Sequence, residues 1–111
     1  MPGPLDGIKV VEITLFQQGP VAGMRLGDLG ADVIKVEPLG GGDPARGMMR
    51  IIGSQVGLKG RNYYFEGSNH NKRSIVLDLN KEKGLEVFLK LIEEADVFLT
   101  NMSVGAVDRL G

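Results

Sequence analysis

Ile8-Lys9-Val10-Val11-Glu12-Ile13-Thr14, then Gly19-Pro20 with a helical stretch from Val21 to Leu29, then Ala31-Asp32-Val33-Ile34-Lys35-Val36-Glu37, decide the fold. Both flanking segments are short, mostly apolar and rich in β-branched residues, the pattern of strands covered on both faces. Pro20 suits the first turn of a helix, where its missing N–H has no partner to lose, and Gly30 suits a left-handed C-cap. Strand, helix and strand in such close succession predict a β-α-β unit with a right-handed crossover, and therefore parallel strands. Leu15 to Gln18 joins the first strand to the helix.

The rest of the chain repeats the theme after an interruption. Pro38 to Asn62 is rich in glycine and has little periodicity, too long for a routine connection, and reads as a functional or a mobile loop. Tyr63-Tyr64-Phe65 reads as a short edge strand and Gly67 to Asn71 as a turn. Ser74-Ile75-Val76-Leu77-Asp78-Leu79 reads as a strand. Asn80 is placed to cap a helix over Lys81 to Ala95, in which Leu85, Phe88, Leu89 and Ile92 recur at helical spacing. Asp96 to Thr100 is a fourth strand, Asn101 to Val104 a loop, and Gly105 to Leu110 the start of a helix. The prediction is an α/β fold: a Rossmann-like, open, mainly parallel sheet with flanking helices, in one unit over residues 1–111.

Composition narrows the function. With 42% hydrophobic and 24% charged residues the 111-residue chain has the balance of a folded soluble protein. A formal net charge of −1 supplies no basic field for nucleic acid or an anionic membrane. No apolar run approaches the roughly 18 residues of a membrane span. There is no cysteine, which removes disulfides, thiolate metal sites and cysteine nucleophiles. The first residues lack a basic-then-apolar leader, so a cytoplasmic location is expected. His70 is the single histidine, too few for a metal site, and reads as a surface turn residue.

In open α/β sheets ligands bind beyond the carboxyl ends of the strands, where loops meet helix N-termini. Three loops qualify here: Leu15 to Pro20, Leu79 to Lys81, and Asn101 to Gly105. Their amide and hydroxyl side chains suit a polar ligand, with Lys72, Arg73, Lys81 and Arg109 as candidate cations, and together they suggest a nucleotide-like anion. Against this stands the reading in which Asn80 only caps its helix, Gln17 and Gln18 are only solvated, and Lys72-Arg73 is a solvated pair. Glu37 stands where dinucleotide folds place a ribose-binding acid, yet Gln17 to Gly23 is not G-x-G-x-x-G and Pro20 removes a phosphate-binding N–H, which disfavours NAD. Gly19, Gly23 and Gly27, four apart, line one side of the first helix and predict very close packing against the sheet or another subunit.

A family resemblance adds specificity. Pro4-Leu5-Asp6-Gly7-Ile8-Lys9-Val10-Val11-Glu12, Gly19-Pro20, Leu29 to Pro38, Gly42-Asp43-Pro44-Ala45-Arg46-Gly47, Asn69 to Leu79, Ala95-Asp96-Val97 and Asp108-Arg109-Leu110-Gly111 closely resemble the start of family III CoA-transferases, which include formyl-CoA:oxalate and carnitine CoA-transferases and the related 2-methylacyl-CoA racemases. The resemblance implies the N-terminal part of a large Rossmann-like domain in a longer protein that forms an interlocked homodimer. It implies CoA thioesters as substrates, no permanently bound cofactor, and an aspartyl intermediate formed on an aspartate beyond this stretch. None of Asp6, Asp28, Asp32, Asp43, Asp78, Asp96 or Asp108 matches that nucleophile.

The resemblance carries a CoA-contacting set onto Phe16, Gln17, Gln18, Leu77, Asn80, Asn101, Met102 and Arg109. Gln17 would position the reacting group or stabilise its oxyanion. Asn80 replaces a lysine found in some members, and Met102 an aromatic, so it offers dispersive contact instead of stacking. Arg109 matches a phosphate-binding arginine. Pro38 stands where some formate-type transferases have arginine, so no particular acyl donor or acceptor is assigned. Two other readings stay open: the racemase of the same family, and a non-catalytic CoA- or nucleotide-binding module. Residues 1–111 alone are expected to bind CoA weakly and to transfer nothing.

Overall fold

The computed structural model describes residues 3–48, 50–51, 54–55, 57–58 and 61–110. In chain order these form β1 (Lys9–Ile13), α1 (Gln18–Asp28), β2 (Asp32–Glu37), a 3₁₀ turn (Pro44–Gly47), the two-residue strands β3 (Arg50–Ile51), β4 (Ser54–Gln55), β5 (Gly57–Leu58) and β6 (Arg61–Asn62), α2 (Tyr63–Asn69), β7 (Lys72–Val76), α3 (Glu82–Glu94), β8 (Val97–Thr100) and α4 (Val104–Leu110). The four longer strands make one parallel sheet in the order β7-β2-β1-β8, while β3 with β4 and β5 with β6 form small antiparallel ladders. Counted along the chain, that order is 3-2-1-4, the first part of a doubly wound sheet. Its direction reverses between β1 and β8.

Alternation along β1 and β2 explains the layers. Val11, Ile13 and Val36 face α3, where Phe88, Leu85, Leu91 and Ile92 cover them. Val10 and Val33 face the other way, against Ala31, Leu26, Ile8 and Leu99. Phe88 is buried and meets Phe98 edge to face with ring centroids 5.9 Å apart, a burial worth about 2 to 3 kcal/mol. Leu89, expected on the covered stripe of α3, is 49% exposed; Leu91 packs instead.

The glycine seam of α1 faces the sheet and the turn before β7. A side chain at Gly19 would meet Thr14, one at Gly23 would meet the Glu12 carboxylate, and one at Gly27 would lie 2.8 Å from the Asn71 carbonyl oxygen. Tight packing within the chain, against Thr14, the Glu12 strand and the turn before β7, accounts for all three positions.

Three local expectations are corrected. Tyr63-Tyr64-Phe65 is the first turn of α2 and not an edge strand, and the helix continues through Gly67 and Ser68, expected in a turn. The Asn62 side chain accepts from the Phe65 N–H at 3.0 Å, an N-cap that outweighs the strand preference of three aromatics. β7 runs from Lys72 to Val76 instead of from Ser74 to Leu79. Asn80 does not cap α3: the N-cap position is Lys81, with no side-chain capping bond, and the Asn80 N–H donates to Asp78 Oδ1 at 3.1 Å. In the glycine-rich stretch, Pro38 to Met48 is anchored as described below; Met49, Ile52, Gly53, Val56, Lys59 and Gly60 lie outside the described residues.

Candidate functional site

The parallel strands bring the three expected loops to one rim, at the carboxyl ends of β1, β7 and β8. Between them lies a crevice of about 440 Å³, lined chiefly by Leu15, Val36, Leu77, Leu79, Asn80 and Met102. Its wall is apolar, and Asp78 and Asn80 supply polar groups at the loop after β7. A flat apolar body with a polar edge fits such a slot. Three of the eight candidate residues, Leu77, Asn80 and Met102, share it.

Phe16, Gln17 and Gln18 lie beside the crevice at the start of α1, all exposed. Gln17 occupies the N-cap of α1, and its side chain makes no capping bond. Asn101 closes the switch point: its Oδ1 accepts from the Leu15 N–H at 3.0 Å and its Nδ2 donates to the Leu15 carbonyl at 2.8 Å. Arg109 is exposed on the last turn of α4 and is not part of the crevice wall.

The other candidate cations separate. Lys81 is exposed at the start of α3. Lys72 and Arg73 begin β7, at the opposite end of the sheet from the rim; Arg73 is solvated, 68% exposed, as the reading of a solvated pair expected, and Lys72 is not. Arg73 forms a bidentate pair with Asp32 at 2.9 and 2.7 Å. The Lys72 side chain is buried, 2.8 Å from Glu12 Oε1 and from the Pro20 carbonyl. Burial pulls its pKa down, and the Glu12 carboxylate opposes that pull.

Beneath the loop after β1 lies a cluster of charges that the sequence reading passed over. Glu12, Lys35 and Asp43 are at most 1% exposed, a position that charges hold only in pairs. Lys35 Nζ lies 3.0 Å from Asp43 Oδ2 and 3.6 Å from Glu12 Oε2, and donates to the Thr14 carbonyl at 2.8 Å. The Thr14 hydroxyl donates to Glu12. Glu37 receives Arg46 through Nε and Nη2, both at 2.8 Å, the Asp43 N–H at 2.9 Å and the Ser74 hydroxyl. Desolvation pushes the Glu37 carboxyl up, but the Arg46, Asp43 and Ser74 donors outweigh it and bring the pKa from 4.5 to about 2. So engaged, Glu37 has no capacity left for a ribose hydroxyl.

The signal for this cluster was present. Glu12 and Lys35 are register partners on the two inner strands, and opposite charges facing each other within a sheet covered on both sides imply a buried pair. His70 behaves as expected, an exposed residue ending α2, 3.0 Å from Asp28. Among the described residues no group of three or more acidic or histidine side chains is arranged to hold a metal ion, and no helix is long and apolar enough to cross a membrane.

A parallel sheet of order 3-2-1-4, with amide side chains and a crevice at the carboxyl ends of its strands, defines an α/β protein of the doubly wound class. Comparison with known proteins makes this specific: the match to CoA-transferase family III covers residues 5–111, and the chain belongs to that family. It is 45% identical over 107 residues to a formyl-CoA:oxalate CoA-transferase of Rhodopseudomonas palustris and 43% identical to one of a Bradyrhizobium species, covering 96% of this chain and 24% of either relative. The chain thus spans about a quarter of the length of the curated relatives it matches. Among solved structures it resembles a CaiB/BaiF family protein of Brucella suis, with TM-score 0.83 and 39% identity over 99% of this chain and 29% of that one. It also resembles the protein Rv3272 of Mycobacterium tuberculosis, solved with one aspartate replaced by alanine, with TM-score 0.85 and 37% identity over 99% of this chain and 28% of that one.

Proposed function

We propose that this chain is the CoA-holding N-terminal part of an enzyme that moves CoA between an acyl-CoA thioester and a carboxylic acid. The observation that carries the reading is the crevice at the carboxyl ends of the strands, where Leu77, Asn80 and Met102 line a slot whose Leu15 wall leads into the exposed Gln17 loop. The slot takes the adenine end of CoA, Arg109 a phosphate, and Phe16, Gln17 and Gln18 lie along the pantetheine toward the reacting thioester. Asn101 contributes by holding Leu15, and so the loop, in place. The nucleophilic aspartate belongs to sequence beyond Gly111, and the working enzyme is a homodimer, as the family resemblance implies.

Covalent catalysis by a carboxylate divides a difficult acyl exchange into easier steps: carboxylate attack on the thioester expels CoA thiolate and leaves a mixed anhydride, and thiolate attack on the aspartyl carbonyl of that anhydride releases the donor acid as its carboxylate and leaves an aspartyl-CoA thioester. The acceptor carboxylate attacks that thioester, expelling the thiolate and forming a new anhydride, and thiolate attack on its acyl carbonyl yields the new acyl-CoA and the free aspartate. Gln17, an uncommitted amide at a helix N-terminus, is suited to donate to the oxygen on which charge develops.

The test uses the complete polypeptide carrying this chain, a panel of acyl-CoA thioesters and carboxylic acids, and hydroxylamine trapping of an activated aspartate. Acid-dependent CoA transfer with a trapped adduct supports the reading. Exchange of the α-hydrogen of a 2-methylacyl-CoA with solvent, without any need for an acceptor acid, would point to the racemase. CoA binding with neither reaction would point to the non-catalytic module.

A further inference from the structure

We propose that Asp43 is a positioning residue, one that acts on the proposed transfer through the backbone of Phe16. The inference rests on the reading of the Gln17 loop as facing substrate. Between the end of β1 and the start of α1 the backbone has left the sheet, and its polar groups are gripped by side chains from three separate parts of the chain. Lys35 of β2 donates to the Thr14 carbonyl at 2.8 Å. Asn101, following β8, takes both backbone groups of Leu15. Asp43 Oδ1 accepts from the Phe16 N–H at 3.1 Å.

Phe16 is the residue under strain. Its φ is +66°, a left-handed conformation that strains a non-glycine residue and persists only where the surroundings enforce it. Asp43 is the enforcing group. It is 1% exposed, its Oδ1 also accepts from the Ala45 N–H at 2.9 Å, and its Oδ2 faces Lys35 at 3.0 Å. The chain reaches this point through Gly40, Gly41 and Gly42, all at positive φ, a turn that side-chain-bearing residues would resist. Asn62 fixes the far side by donating to the Ala45 and Met48 carbonyls at 2.7 and 2.9 Å. Asp43 is therefore itself held, and it passes that order to the residue immediately before Gln17. Without it Phe16 relaxes toward ordinary φ, and the direction in which Gln17 leaves the loop is lost. The crevice lined by Leu77 and Met102 stays as it was.

The test compares the complete polypeptide with its Asp43→Ala and Asp43→Asn variants. Three quantities are read: hydrogen exchange at the Phe16 amide, the CoA dissociation constant, and kcat and KM for CoA transfer. Losing a hydrogen bond to a buried charge predicts about tenfold faster Phe16 exchange and about tenfold lower kcat in Asp43→Ala, with CoA affinity unchanged within about threefold. Asp43→Asn keeps the shape and the Oδ1 acceptor and is expected to recover part of both losses; it carries the test should the alanine variant fail to fold. Unaltered exchange at Phe16, or faster exchange there with an unchanged kcat, overturns the proposal. So does a fall in kcat accompanied by equally faster exchange throughout β1 and β2, which would make Asp43 a stabilising residue only. If the unsubstituted protein transfers no CoA, the proposed function fails instead, and the exchange measurement alone upholds or overturns the restraint of Phe16 by Asp43.

Discussion

The side-chain amide of Asn101 completes both backbone hydrogen bonds of Leu15, as a neighbouring strand would have done. One residue beyond the last register pair of β1 and β8, Ile13 with Thr100, comes the separation of the two strands that opens a doubly wound sheet to its ligand. Asn101 allows the chains to part while leaving no Leu15 group unpaired.

Asn101→Asp tests that pairing. A carboxylate still accepts from the Leu15 N–H but repels its carbonyl, whereas Asn101→Gln keeps both functions on a longer stem. The expected loss for Asn101→Asp is about 1 kcal/mol in urea unfolding, this residue being exposed. Equal stability of Asn101→Asp and the parent would show that the Leu15 bonds contribute nothing.

Acid should loosen the loop through Glu37. Its pKa is about 2 when folded against 4.5 ordinarily, so the stability it contributes is fully present above the higher value. That stability is lost as pH falls from there toward the lower one. Because the partner Arg46 is 43% exposed, the contribution is set at about 2 kcal/mol, below what the full shift would give. Unfolding free energies measured at about pH 6 and about pH 3 should converge between parent and Glu37→Gln. A difference that stays constant over that interval would contradict the assignment.

Gly23→Ala sets helix propensity against packing. In an open helix the change stabilises by about 1 kcal/mol, but here the added methyl meets the Glu12 carboxylate, which cannot retreat without leaving Lys72. The expected result is a net destabilisation of about 1 to 3 kcal/mol, read as a lower urea midpoint. Gly67→Ala in α2, where the methyl meets nothing, serves as the control and should be neutral or stabilising.

Arg109→Ala should raise the CoA dissociation constant of the complete protein by about 5- to 150-fold, the scale of a charge-assisted phosphate contact. Loss should be smaller for 3′-dephospho-CoA if that phosphate is the partner. Unchanged affinity for both would remove Arg109 from the site.

The parallel sheet was legible because β1 and β2 are apolar and β-branched, and the rim followed from strand direction alone. Lys72 and Arg73 concealed the start of β7: their charges suggest solvent until Glu12 and Asp32 are seen to neutralise them. α2 was hidden by three aromatics, although Asn62 with Glu66 in the first turn is an N-terminal signal. Of the candidate residues, Leu77, Asn80 and Met102 line one crevice. In the sequence Asp43 stands out only within the family stretch and as an aspartate that is not the nucleophile; its bond to the Phe16 N–H, 27 residues away, is one that no local pattern encodes.

Glu12, Glu37 and Asp43 balance Lys35, Lys72 and Arg46 one for one beneath the rim. Losing Glu12 alone would strand Lys72 in the interior, at about 3 to 5 kcal/mol, whereas Lys35 keeps Glu12 and the Thr14 carbonyl when Asp43 is lost. Such a group is heritable as a block. Across lineages its members should drift in compensated couples or not at all, so the geometry beneath the rim resists gradual change even where the exposed residues of the rim diversify.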